Sequence, residues 1–271
     1  MNEFLTIAPG VTLDLVCIPA GEFLMGSTDS DTQATNDEKP QHKVMLDEYQ
    51  IGKYEVTNAQ FAAFVKGTGF ETRAEEADSD GWKDPQAADW QHPWGPNSDL
   101  IGRDNYPVVW VSWGDAVAFC AWASQTTGRQ VRLLTEAEWE KAAHGTDGRI
   151  YPWGNEAPNA KSANFNMIYN TKVFRDTTEV GKYSPAGDSP YGLADMAGNV
   201  WEWTADWYSD TYYASSPASN PQGPTTGKYR VVRGGPIEPS AIRAACRMGF
   251  SNIDMECGFR VAVSAPVPSH A

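Results

Sequence analysis

Hydrophobic positions follow a helical period in only three places along this chain. In 58–67 the side chains of Phe61, Phe64 and Val65 fall on one face, with Thr57 or Asn58 available as N-cap. In 112–124, Ala116, Val117, Phe119, Cys120 and Trp122 form an amphipathic pattern behind a Ser112 cap, with Asp115 three residues on. In 135–144, Thr135 precedes Glu138 at capping-box spacing, and Trp139, Ala142 and Ala143 face a core. Short apolar or alternating runs at 13–18, 21–25, 42–46, 49–54, 230–233 and 258–263 predict strands. Between them, 78–105, 151–170 and 183–213 are rich in Gly, Pro, Asn, Asp and Trp and are too long for ordinary loops. Aromatic packing, side-chain hydrogen bonds or ions must order them. The sum predicts a loop-rich α+β domain. No repeat or linker interrupts 10–264, so 1–271 reads as one domain with 265–271 a frayed tail.

Composition narrows the class. Eleven Trp among 271 residues argue against extensive disorder, because an indole is costly to leave in water. No apolar run approaches the ~20 residues of a membrane span. Residues 1–9 lack the basic start and apolar run of a signal peptide, which makes the cytoplasm the default location. Lys plus Arg number 21 against 35 Asp plus Glu, a net charge of −14. Such a surface repels phosphates, so neither nucleic acid nor an anionic membrane is the expected partner. The acidic side chains serve solubility or a hard cation such as calcium.

Cysteine and histidine usage removes several chemistries. Cys17, Cys120, Cys246 and Cys257 include no CxxC pair. Cys17 and Cys120 lie in apolar runs and read as buried thiols. Cys246 and Cys257, eleven apart, could be bridged, although a reducing compartment favours free thiols. His42, His92, His144 and His270 are scattered, and no GxSxG elbow is present.

Certain phrases are diagnostic in their order and spacing: IPAGEFLMGS at 18–27, YEVTNAQF at 54–61, YPVVWVSWGD at 106–115 and LLTEAEWEK at 133–141. They continue with YPWGN at 151–155, YGLADMAGNVWEWTADWY at 191–208, RGG at 233–235 and GFR at 258–260. Over 12–264 the chain resembles the formylglycine-generating enzyme (sulfatase-modifying factor) family. The resemblance implies a loop-rich variant of the C-type lectin fold. Enzymes of that family oxidise a substrate cysteine to formylglycine with a copper-holding cysteine pair just after RGG. Here 236–242 contain no cysteine, and Cys246 matches neither position, so neither copper nor formylglycine formation is expected. The iron-dependent sulfoxide synthases of the family use three convergent histidines, which four scattered ones do not supply.

The resemblance also implies calcium. It assigns carboxylates to Asp195 and Glu202 and carbonyls to Gly198 and Val200, an oxygen-only set that this cation accepts. A second family site begins at Asn164 and Phe165, but its later acidic position falls near Lys172.

The stretch from Pro236 to Cys257 is different in kind. Its frame is RVVRGG, then RAA and Arg247, then GFRVA. Between these anchors lie Pro236, Ile237, Glu238, Ile242, Cys246, Met248, Phe250, Ser251, Ile253, Met255 and Glu256, with no period of 2 or 3.6. This arrangement resembles the variable proteins of diversity-generating retroelements, which carry a binding surface near the carboxyl end of a rigid platform. It implies a non-catalytic protein that binds a protein or other macromolecular ligand through 236–257, while Arg233, Arg243, Arg247 and Arg260 brace the backbone. The competing expectation is an oxidase or other family enzyme with unrecognised ligands.

Overall fold

In the computed structural model, which describes residues 3–29, 31–76, 88–165, 176–236, 239–251 and 257–264, the chain opens with β1 (Glu3–Ala8) hairpinned onto β2 (Val11–Ile18). They join β5 (Tyr49–Gly52), β11 (Val261–Ser264) and β6 (Val131–Leu133) in an antiparallel sheet of order β1-β2-β5-β11-β6. A second sheet runs β10 (Cys257–Gly258), β7 (Trp201–Trp207), β8 (Arg230–Arg233) and β9 (Arg247–Phe250). Among the described residues only β10 lies parallel to its neighbour in this sheet, and β9 is an edge. A separate hairpin pairs β3 (Gly21–Met25) with β4 (His42–Leu46).

The strands at 21–25, 42–46 and 230–233 take the predicted bounds. The run at 49–54 stops at Gly52, and 258–263 divides into β10 and β11 because Arg260 turns inward between them. β1, β6, β7 and β9 were not anticipated. β7 is the instructive case, since WEWTADW is buried on both faces for most of its length and shows no alternation.

All three helices form where the caps and periodicity place them. α1 (Asn58–Thr68), α2 (Trp113–Thr127) and α3 (Glu136–His144) each start on a reciprocal capping box: Thr57 with Gln60, Ser112 with Asp115, Thr135 with Glu138. α1 and α2 stop at Gly69 and Gly128, whose left-handed φ of 69° a side chain would resist. Phe61, Phe64, Phe119 and Phe259 form the centre of one core cluster, which α1 and α2 share with the five-stranded sheet. A second core surrounds α3 with Phe23, Val44, Trp139 and Met196. The predicted buried thiol at Cys17 is corrected: it points outward from β2 and is exposed, whereas Cys120 is buried. No disulfide joins the four cysteines.

Indole N–H groups tie the long irregular segments down. Trp203 donates to the Val111 carbonyl at 2.9 Å, Trp113 to Thr204 at 2.9 Å and Trp110 to Pro93 at 2.8 Å. Arg230 is held between the rings of Trp113 and Trp207, 3.6 and 3.5 Å from their centroids. Among the described residues no helix is long and apolar enough to cross a membrane.

Candidate functional site

α3 is buried on every side although it carries Glu136, Glu138, Glu140, Lys141 and His144. A polar helix survives there only if each charge has a partner. Glu136 and Glu140 are four residues apart and therefore share a face. Onto that face comes Arg233, fully buried at the end of β8, which donates to both carboxylates and to the carbonyls of Ala244 and Ala245. Arg247, at the start of β9, forks onto Glu136 at 2.7 and 2.8 Å and lies against the rings of Tyr208 and Tyr213. Burial pushes Glu140 up, but Arg233 and His144 outweigh it and hold the carboxyl at about 2. Lys141 donates to the carbonyls of Pro19 and Gly21 at 2.7 and 2.9 Å.

Two further buried guanidinium groups complete the frame. Arg243 forks onto Glu38 at 2.8 and 2.6 Å and reaches Asp31 at 3.0 Å. Arg260 forks onto Glu202 with two 2.6 Å bonds and also donates to Gly52, Lys53 and Ala194 carbonyls. These four arginines are the expected backbone braces, and each ties the carboxyl-terminal third of the chain to an element far away in sequence. Their carboxylate partners went unremarked in the sequence. The available signal was the i,i+4 pair Glu136 and Glu140 in a helix that also carries the core-type residues Trp139, Ala142 and Ala143.

The predicted binding stretch divides under this bracing. Met248 is 41% exposed, Ser251 is exposed, and Phe250 is half-buried with its ring edge-on to Trp201 and Trp203. Ile242 is corrected: it is fully buried in a cluster with Tyr151 and Ala197, because the adjacent Arg243 pulls the loop inward. Pro236 is buried as well, following a glycine whose Cβ would fall 1.9 Å from the Trp201 ring if it were Ala. Cys246 is only partly accessible, and burial, with Glu38 nearby, pushes its thiol up to about 12. Ile237, Glu238, Ile253, Met255 and Glu256 lie outside the described residues.

The predicted calcium residues occupy one neighbourhood but do not all stand free. Glu202 has both oxygens engaged by Arg260 and a third bond from the Trp139 indole at 2.8 Å. Asp195, at φ 56°, accepts from the Gly181 amide, and burial pushes its carboxyl up to about 6. The Gly198 carbonyl accepts from the Val200 amide at 2.8 Å. The Asn164 carbonyl takes the Asn199 amide at 2.9 Å, and Phe165 packs beside Tyr151 and Ile242. The sequence reading missed Glu55. It is 1% exposed, takes the Asn199 side chain on one oxygen and has no partner on the other among the described residues. Burial and then the negative charge of Asp195 push Glu55 well above the usual carboxylate range. Asp195 and Glu55 are thus two buried carboxyl groups that resist ionisation in one neighbourhood, and oxygen donors of this kind suit a hard cation. Among the described residues no group of three or more His, Cys, Asp or Glu side chains converges as a metal cage.

A family described as the sulfatase-modifying factor enzyme 1-like domain matches residues 8–265. The chain is 42% identical over 255 residues to the formylglycine-generating enzyme of Streptomyces coelicolor, covering 84% of this chain and 79% of that protein. It is 34% identical over 241 residues to the inactive C-alpha-formylglycine-generating enzyme 2 of Bos taurus, covering 76% and 75%. Among solved structures, PvdO from Pseudomonas aeruginosa superposes with a TM-score of 0.79 at 27% identity, covering 97% of this chain and 98% of that one. Treponema denticola variable protein 1 gives 0.73 at 24% identity, covering 98% and 99%.

Proposed function

This chain belongs to the sulfatase-modifying factor enzyme 1-like family, and we propose that it uses the family fold to bind a macromolecular ligand rather than to oxidise a cysteine. One observation carries the reading. Where the enzymes that the chain resembles hold their cysteine pair, residues 236–242 offer no thiol, and the nearest one, Cys246, is held protonated by burial. A cysteine that binds copper must be a thiolate, so this environment works against that role. The inactive bovine relative supports a family in which the fold outlives the chemistry.

The binding face is read at the edge strand β9 and the residue after it. Met248 and Ser251 present side chains to solvent, and the half-buried Phe250 lies beside them over Trp201 and Trp203. Four buried arginines fix the backbone beneath, so substitutions on the face leave the frame intact. That property suits a surface diversified between copies, as in the retroelement variable proteins, and the fold shared with Treponema variable protein 1 is compatible with it. A calcium ion near Asp195, Gly198 and Val200, offset from Glu202 and closer to Glu55, is part of the same proposal as a structural stabiliser.

The 42% identity to a formylglycine-generating enzyme favours a second reading, an oxidase with other ligands. Incubating the full chain with a sulfatase-type cysteine peptide, with and without copper, and looking for the aldehyde by mass spectrometry separates the two. No aldehyde is expected. Robust conversion refutes the binding reading and establishes the enzyme.

A further inference from the structure

Every other described arginine is ion-paired with a carboxylate. Arg230, the first residue of β8, has no such partner among the described residues. Its hydrogen bond runs from Nη1 to the Ala205 carbonyl at 2.7 Å. Trp113 and Trp207 lie 3.6 and 3.5 Å from its guanidinium carbon. Two rings that close cannot share one face of a planar cation, so they cover both. Trp113 is itself fixed by its indole N–H on the Thr204 carbonyl. Stacking leaves the rim of the guanidinium, where its N–H groups point. Arg230 is partly exposed, and its Nε and second terminal nitrogen have no hydrogen bond among the described residues. Unlike the Nε atoms of Arg233 and Arg243, neither is closed off from solvent.

The sheet register puts this cation on the face already read at β9. Arg230 stands opposite Trp207 in the β7–β8 ladder and opposite Phe250 in the β8–β9 ladder. Residues directly opposite in antiparallel strands share a face, so Trp207, Arg230 and Phe250 form one row across three strands. Met248, two residues before Phe250, falls on the same face and is 41% exposed. A rigid, solvent-reached fork therefore sits beside an apolar edge.

Charge decides the class of partner. Asp206, the acid in the facing strand, is 3% exposed and turned to the Glu136 amide, so it does not neutralise the fork. Lys228, exposed two residues earlier, adds a second positive charge to the segment. On a chain of net charge −14 such a spot attracts an anion locally. A carboxylate can lie in the plane of the guanidinium and accept rim N–H groups without displacing either indole. The surrounding negative charge opposes a phosphate dianion more than a single carboxylate. We propose, on the strength of the binding face read at β9, that the partner is a protein segment carrying Asp or Glu beside an apolar residue. The carboxylate seats on the rim of Arg230, and the apolar side chain packs on Phe250 and Met248.

Selection of binders to the full chain from a displayed library of random peptides tests this. The enriched peptides are expected to carry an acid next to an apolar residue. Met248→Asp, which sets a repelling charge at an exposed position, should release them. Arg230→Lys keeps the charge but loses the fork, and should weaken binding about tenfold or more, as loss of a hydrogen bond to a charged group does. Because that change also loosens the indole clamp, the same loss is read from the peptide side, with the acid replaced by its amide and the protein untouched. Peptides that Met248→Asp releases, but that lack an acid or ignore its replacement, overturn the proposal and leave the binding face standing. Tighter binding when phosphoserine replaces the acid makes phosphate the ligand and overturns it too. No binders, or binders indifferent to both protein variants, overturn the binding face along with it.

Discussion

Asp206 lies in β7 with its carboxylate accepting the Glu136 amide at 2.8 Å, at the first turn of α3. Burial and then the charge of Glu136 push its carboxyl up to about 8. The sign of the pH effect follows. A carboxyl raised in the folded state favours folding fully below its unfolded value of about 3.9, and that contribution is lost as pH rises through the folded value. Asp195, raised to about 6, completes its own loss earlier, so above pH 6 the raised carboxyls that remain are Asp206 and Glu55. Asp206→Asn retains an acceptor for the Glu136 amide and cannot ionise. The wild-type melting temperature should therefore fall between pH 6 and 8, and the variant should show a shallower slope. Equal slopes in the two proteins would show that Asp206 is already ionised at pH 6. Glu140 acts at the other end of the scale: held at about 2, it contributes stability that disappears as pH falls below ~4.

At the scale of elements, the loop leading into β9 is a surface mounted on buried posts. Arg243→Ala leaves Glu38, itself 0% exposed, without its charge partner, and breaking such a pair costs about 3–5 kcal/mol. Met248→Ala removes an exposed side chain and should stay within about 0.5 kcal/mol of wild type. Denaturant midpoints for the two variants measure the contrast, and similar losses in both would mean that β9 is packed core rather than a face. Ile242→Ala belongs with Arg243, since Ile242 is fully buried and truncation of a core Ile costs ~2–5 kcal/mol. Helices were the most legible elements because capping boxes and periodicity are local. β7 and β9 were not, because a strand buried on both faces, or one begun by a buried arginine, has no alternation to read. Ile242 and Met248 look alike in sequence. Only the inward turn of Arg243 sends one into the core, and that turn depends on Glu38, 205 residues away.

For the whole molecule, the proposed calcium ion gives a measurable linkage. A ligand bound only by the folded state adds about 2.7 kcal/mol at 100-fold saturation. Chelator should lower the melting temperature above pH 6, where Asp195 is ionised, and have little effect well below it. Asp195→Ala should remove the chelator effect, and an unchanged melting curve at pH 8 would leave the surplus carboxylate charge to protonation instead. The amino-acid sequence by itself determined the family, the α+β class, the three helices with their caps and the absence of cysteine from 236–242. Each rests on local spacing or residue identity, which survive without a partner in space. The tertiary structure alone decided which charges are partners. It assigned Glu202 to Arg260 and brought Glu55 beside Asp195. It also matched Glu38 with Arg243. Those are pairings across 58 to 205 residues, set by how sheets, helix and loops pack, and no periodicity along the chain encodes them.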